Sequence, residues 1–168
     1  MPSPRATIAF VPREVFSQTK ASLQAVIENT DTPYELVCVD GGSPPEVRDC
    51  LKGMAKEHGF TLLRSDAYLT PNQARNLVLP HVTTPYVVFV DNDVFPAKGW
   101  LQALVDCAEE TGAGAVGPLD FEHMPLETRV HLAGGISRLL TDDRGRRYYK
   151  EKHQHAHQLL SDIDEPLE

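Results

Sequence analysis

A mostly parallel, doubly wound α/β sheet with helices on both faces is the fold class this sequence predicts. Three observations carry it. Short β-branched runs alternate with longer stretches whose apolar residues recur at helical spacing. The runs are apolar nearly end to end, as strands covered on both faces are. Pro, Gly and Asp gather where the runs stop, so turns punctuate each passage from strand to helix. A β-α-β-α rhythm of this kind implies parallel pairing with crossover helices.

Thr7-Ile-Ala-Phe-Val11 reads as the first strand, stopped by Pro12. Ser17 to Asn29 reads as a helix with Leu23, Val26 and Ile27 on one face, ended by Thr32-Pro33. Glu35-Leu-Val-Cys-Val-Asp40 is the second strand, and Gly41-Gly-Ser-Pro-Pro45 the turn beyond it. Pro45 suits a first helical turn, and Val47, Leu51, Met54 and Ala55 stripe the helix that runs to His58. Thr61 to Arg64 is a short third strand, and Pro71 to Leu79 a helix. Pro80 and Thr83-Thr-Pro85 separate it from the fourth strand, Tyr86 to Val90, which is apolar enough to be buried on both faces. Gly99 to Thr111 carries Leu101, Leu104, Val105 and Ala108 and is amphipathic. Ala115 to Pro118 reads as a brief strand and Arg129 to Ile136 as another, ending at Gly134-Gly135. Asp142 to Arg147 is a charged turn, and Lys150 to Glu168 a polar, acidic tail. His153, His155 and His157 alternate; on a strand they would share a face fit for a metal, and in a solvated tail, the preferred reading, they would not.

A chain of 168 residues is long enough for one domain with a real core. Its 41% hydrophobic and 24% charged residues are ordinary for a soluble protein. A net charge of −8 disfavours nucleic acid as a partner. Cys38, Cys50 and Cys107 are odd in number and widely spaced, which suits reduced thiols rather than a disulfide framework or a zinc site. No apolar run reaches the roughly 18 residues of a membrane span, and no signal-peptide core follows Met1. A cytoplasmic location is the expectation.

The most informative segment is Val90-Asp-Asn-Asp93. Carboxylates are seldom left at a core edge without partners. A hard divalent cation holding phosphate oxygens would supply one, since Mg²⁺ binds through one or two carboxylates plus the substrate's phosphates. A helix N-cap is the plainer alternative. Other polar groups fall near strand ends as well: Pro12-Arg13-Glu14 after the first, Asp40 and its glycines after the second, and Arg75-Asn76 in the helix before the fourth. Each has an unremarkable reading as an ion pair, a turn or a solvated residue. Parallel strands nevertheless bring their carboxyl ends to one edge, where ligands of open α/β sheets bind.

In order, Phe10-Val-Pro12, Val39-Asp-Gly-Gly-Ser43, Ala74-Arg-Asn76 and Val90-Asp-Asn-Asp93 resemble the motifs of family 2 glycosyltransferases with the GT-A fold, over Thr7 to about Pro118. The resemblance implies a Rossmann-like nucleotide-binding half with strand order 3-2-1-4. It implies a UDP- or GDP-linked sugar as donor and Mn²⁺ or Mg²⁺ as cofactor. Asp91 and Asp93 would be the metal residues, with Asp91 near the ribose and Asp93 ligating the ion that bridges the diphosphate. Pro12, Arg13, Glu14, Asp40, Arg75, Asn76 and Asp91 would bind the donor. Two departures stand out. Gly41 occupies a position where many members carry a second Asp, and Arg13-Glu14-Val15 replaces the usual Thr-Tyr-Asn, so the base is not legible.

The expected layout is a nucleotide-sugar-binding domain over residues 1–125, followed over 126–168 by a partial acceptor-side extension and tail, truncated relative to a full-length enzyme. The implied reaction is sugar transfer to an unknown acceptor. Asp120, Glu122 and His123 are available acids or bases, but no residue is marked as the catalytic base. Two alternatives remain open: a non-catalytic nucleotide-sugar-binding module, and a Mg²⁺-dependent phosphatase of the haloacid-dehalogenase type. The latter wants Thr or Val where Phe95 stands.

Overall fold

The structure, a computed structural model, describes residues 3–122 and 129–164. The chain forms two compact units, Met1–Asp106 and Cys107–Glu168.

The first unit is a parallel sheet of β1 (Ala6–Val11), β2 (Tyr34–Gly41), β3 (Thr61–Ser65) and β4 (Tyr86–Asp91), in the order β3-β2-β1-β4. Between the strands run α1 (Thr19–Glu28), α2 (Pro45–His58) and α3 (Pro71–Val78), and α4 (Trp100–Thr111) follows β4. The period-2 alternation of β1 sorts its side chains between two cores. Ala6, Ile8 and Phe10 pack with Leu23 and Val26 of α1, Leu51 and Met54 of α2, and Leu101 and Val105 of α4. Ala9 and Val11 point the other way, onto Ala74 and Val78 of α3. Three helices thus cover one face and one the other. Each fully buried Leu or Val adds about 1.5–3 kcal/mol by leaving water.

Local signals set the helix ends. Pro45 opens α2, and Gly59, at φ 75°, closes it in a left-handed cap. A capping box opens α3: Gln73 N–H donates to Thr70 Oγ1 and Thr70 N–H to Gln73 Oε1 at 2.9 Å.

The fourth strand departs from expectation. Among the described residues it pairs only with β1, and Phe89 is 43% exposed, so the fully covered strand is β1 rather than β4. An apolar run cannot distinguish a central strand from an edge strand whose side chains meet other cover.

The second unit differs more. Ala115–Pro118 is irregular, and the brief strand there is β5 (Asp120–Phe121), antiparallel to β6 (Val130–Leu132). The expected single strand over 129–136 is broken at Gly134, whose φ of 76° turns the chain from β6 into β7 (Gly135–Thr141). The charged turn at 142–146 joins β7 to β8 (Arg147–His153), so the start of the expected tail is a strand. The pattern hid it because both faces of this ribbon carry charge, leaving no apolar alternation to read. Among the described residues, no helix is long and apolar enough to cross a membrane.

Candidate functional site

The parallel register brings the ends of β1 and β4 level, with Val11 opposite Asp91. Pro12 is buried directly beyond, which turns the chain so that Arg13 faces the end of β4. Asp91 lies between two guanidinium groups. Its Oδ1 accepts from Arg75 Nη2 at 3.1 Å and its Oδ2 from Arg13 Nη2 at 3.5 Å. Arg13 also pairs with the exposed Glu14 at 3.3 Å. Arg75 lies in the last turn of α3, whose Ala74 and Val78 are buried, and its guanidinium lies 5.5 Å from the ring centroid of Phe89. The Arg75 Nε–H is buried with no acceptor among the described residues, a cost that the ring contact and the ion pair offset.

Asp93 is exposed, and among the described residues no hydrogen bond or ion pair engages its carboxylate. The helix-cap alternative fails, because α4 begins only at Trp100. Asn92, between the aspartates, is 1% exposed. Its Oδ1 accepts from Arg13 N–H at 3.2 Å, and its Nδ2 donates to Val15 O at 3.1 Å and Thr19 Oγ1 at 2.9 Å. One buried amide therefore locks the loop after β4 to the loop after β1. Ser22 Oγ of α1 donates to Val94 O at 2.6 Å and Nδ2 of Asn29, the residue capping that helix, to Pro96 O at 2.9 Å, which hold the chain beyond Asp93.

Asp40 ends β2 in full burial. Its Oδ1 accepts the Ser43 N–H at 2.9 Å, and its Oδ2 pairs with Arg64 of β3. Arg64 Nε donates to Asp66 at 3.3 Å as well. The Asp40 carboxylate is thus spoken for on both oxygens. Beside it, a Cβ on Gly41 would come within 3.0 Å of Leu69 Cβ, so a leucine fills the space that an aspartate at this position would use.

Of the sequence-predicted residues, Pro12, Arg13, Glu14, Arg75 and Asp91 therefore meet at one edge, and Asp93 stands open beside them. Asp40 is near the same edge but enclosed. Asn76 is exposed on α3, and no side-chain hydrogen bond among the described residues ties it to the cluster. Sequence reasoning missed Arg64, Leu69, Phe89 and the structural part played by Asn92. Only Arg64 had a signal: parallel register sets it opposite Asp40, a charge pair at matching strand ends.

The second unit carries its own polar cluster. Glu122 Oε1 meets His157 Nδ1 at 2.8 Å and its Oε2 lies 3.7 Å from His131 Nδ1. The rings of His131 and His153 stand edge to face at 5.9 Å. Burial pushes the Asp120 carboxyl above its ordinary range, against the pull of His131. The three alternating histidines do not share a strand face. His153 ends β8, while His155 and His157 adopt left-handed φ values of 55° and 66° in the turn beyond. No group of three metal-ligating side chains forms among the described residues. His123 lies outside those residues.

The family described as Glycosyl transferase family 2 matches residues 14–159. The succinoglycan biosynthesis protein ExoM of Rhizobium meliloti (strain 1021) is 28% identical over 124 residues, covering 73% of this chain and 40% of ExoM. Among solved structures, the mannosyltransferase PcManGT from Pyrobaculum calidifontis, in complex with GDP-Man and Mn²⁺, matches with a TM-score of 0.56 and 23% identity. That match covers 74% of this chain and 37% of PcManGT. S. aureus TarS (residues 1–349) in complex with UDP matches with a TM-score of 0.57 and 17% identity, over 84% of this chain and 43% of that one. The chain thus spans about two fifths of the length of these relatives. At such identities the structural matches establish the fold.

Proposed function

This chain belongs to glycosyl transferase family 2, and on that premise we propose that it binds a nucleoside diphosphate sugar at the edge shared by β1 and β4, for transfer of the sugar to an acceptor. One observation carries the reading: Asp91 is neutralised between Arg13 and Arg75 while Asp93 stands open beside it. That arrangement divides the work of the two aspartates. A hard divalent ion seeks oxygen ligands, and the donor's phosphates supply most of them. Asp93 fits as the protein's ligand to Mn²⁺ or Mg²⁺. Asp91, whose two oxygens already accept N–H groups, fits better as the post that aims both arginines. When bound, the metal would stabilise the negative charge that grows on the departing diphosphate.

The chain's own residues act around that centre. Arg13 and Arg75 each keep N–H donors after bonding Asp91, and guanidinium groups match phosphate oxygens in geometry as well as charge. Their contribution is greatest where charge develops, on the leaving diphosphate, so they favour the transition state over the bound donor. Pro12 and Glu14 would flank the donor at the β1 end. Asp40, enclosed by Arg64 and Ser43, would shape the nucleoside side of the pocket from behind. The exposed Asn76 would reach the donor only from the rim of α3. A donor class of UDP- or GDP-linked sugars accords with what PcManGT and TarS hold in their structures. Family membership stands against the phosphatase alternative.

Calorimetric titration of UDP and of GDP, each with Mn²⁺, against the chain and its Asp93→Ala variant tests the proposal. The chain should bind at least one nucleotide in a metal-dependent way, and Asp93→Ala should weaken it roughly a hundredfold or more, since loss of a group that merely orients a metal ligand already costs about 10–100-fold. Equal affinity in both proteins, or no binding by either, would sink it.

A further inference from the structure

The ribbon of β7 and β8 stands apart from the rest of this acidic protein. Residues 135–153 hold six basic and three acidic side chains, in a chain whose net charge is −8. Every residue of both strands is exposed except the half-buried Leu140. The antiparallel register sorts them into two unlike faces. Ile136 lies opposite Lys152, Arg138 opposite Lys150, and Leu140 opposite Tyr148, so these six share one face. It holds three apolar or aromatic side chains, three cations and no acid. The other face is mixed: there Tyr149 Oη bonds Ser137 Oγ at 2.5 Å and Glu151 lies 3.5 Å from His153.

The cationic face has two features that water alone does not satisfy. Arg138 and Lys150 sit directly across from each other, and like charges in that relation destabilise a strand pair. A two-stranded ribbon is also marginal without cover on at least one face. Both costs are met by one kind of surface, which supplies anions to the cations and an apolar boundary to Ile136, Leu140 and Tyr148. We infer that this face of the β7–β8 ribbon docks on an anionic lipid bilayer surface. Tyr148 is 46% exposed and Ile136 45%, enough for both to enter the headgroup region. There a tyrosine ring is stable with its hydroxyl in the wet layer. The flexible stems of Lys150, Lys152 and Arg138 extend their charges to lipid phosphates. The connecting turn is held by Asp142. Asp142 accepts N–H groups from Arg146 and Arg144, each at 2.9 Å, and pairs with the Arg146 guanidinium at 2.8 Å; the Arg146 backbone N–H above all, with these other donors, draws its carboxyl below the usual range. Contact through the side chains of one ribbon face would be peripheral and reversible.

Co-sedimentation of the full chain with vesicles tests the inference. One set is phosphatidylcholine alone; the other mixes phosphatidylcholine and phosphatidylglycerol equally. The chain should pellet with the anionic set only, and less as salt rises. Arg138→Glu with Lys150→Glu should lower the partition roughly tenfold or more. Tyr148→Ser, which leaves the charge unchanged, should lower it as well. Unchanged thermal unfolding and unchanged nucleotide binding in these variants would show that the fold and the donor site are untouched. Indifference to vesicle charge, or to the paired charge reversal, overturns the inference. So does a loss confined to the charge variant while Tyr148→Ser binds normally, because the partner is then a soluble polyanion rather than a bilayer.

Discussion

Asn92 shows how much one side chain can decide. An amide flanked by two aspartates invites a functional reading, yet it is the buried member of the three and the one that organises the others. It satisfies the backbone donor of Arg13, the backbone carbonyl of Val15 and the hydroxyl of Thr19, all on one segment far from it in sequence. Asn92→Leu keeps the approximate volume and removes all three bonds, leaving Arg13 N–H and Val15 C=O without their partner. We expect a loss of about 2–3 kcal/mol in urea unfolding, together with weaker nucleotide binding as the Arg13 loop comes free of β4. Retained stability and retained affinity would show that the loops are held by other contacts. Asp40 and Arg64 teach a related lesson. A carboxylate at a strand end reads as an open ligand in sequence, whereas full burial under an arginine makes it a structural ion.

At the scale of elements, the β2 end and the segment before α3 fit together as a unit. Gly42, at φ 83°, approaches the backbone of Ala67 and Tyr68, and Leu69 N–H reaches Gly41 O at 3.4 Å. Leu69 then occupies the room beside Gly41, and the capping box starts α3 one residue later. The departure from the family's double aspartate is therefore paired with a leucine, and the two should be exchangeable only together. Gly41→Ala alone should destabilise the chain by about 1–3 kcal/mol through overpacking, and Leu69→Gly in the same chain, which removes the Cβ that is met, should recover part of that loss. A double-mutant cycle by denaturant unfolding checks it; strictly additive effects would mean the two positions do not meet. The helices and strands of this unit were legible because propensity, pattern and turn chemistry agree in each. Those after α4 were not, because short antiparallel strands with charge on both faces lack the periodicity that marks an element.

At the scale of the whole molecule, protection should follow burial. Every residue of β1 is buried, with ladders on both sides, whereas β7 and β8 are open on both faces. In hydrogen exchange, the amides of Ile8 to Phe10 should open only with global unfolding, and those of the ribbon orders of magnitude sooner. Comparable protection in the two would mean that the ribbon is covered in solution. The sequence by itself determined the α/β class, the four parallel strands, their carboxyl-edge polar residues and the family, because these rest on local periodicity and ordered motifs. Only the tertiary structure decided which aspartate is open and which is bound. It enclosed Asp40, paired Asp91 with two arginines, buried Asn92, and gathered three cations on one face of a ribbon. The reason is physical: the state of a charged group depends on what long-range packing sets beside it, and neighbours in space are absent from a local pattern.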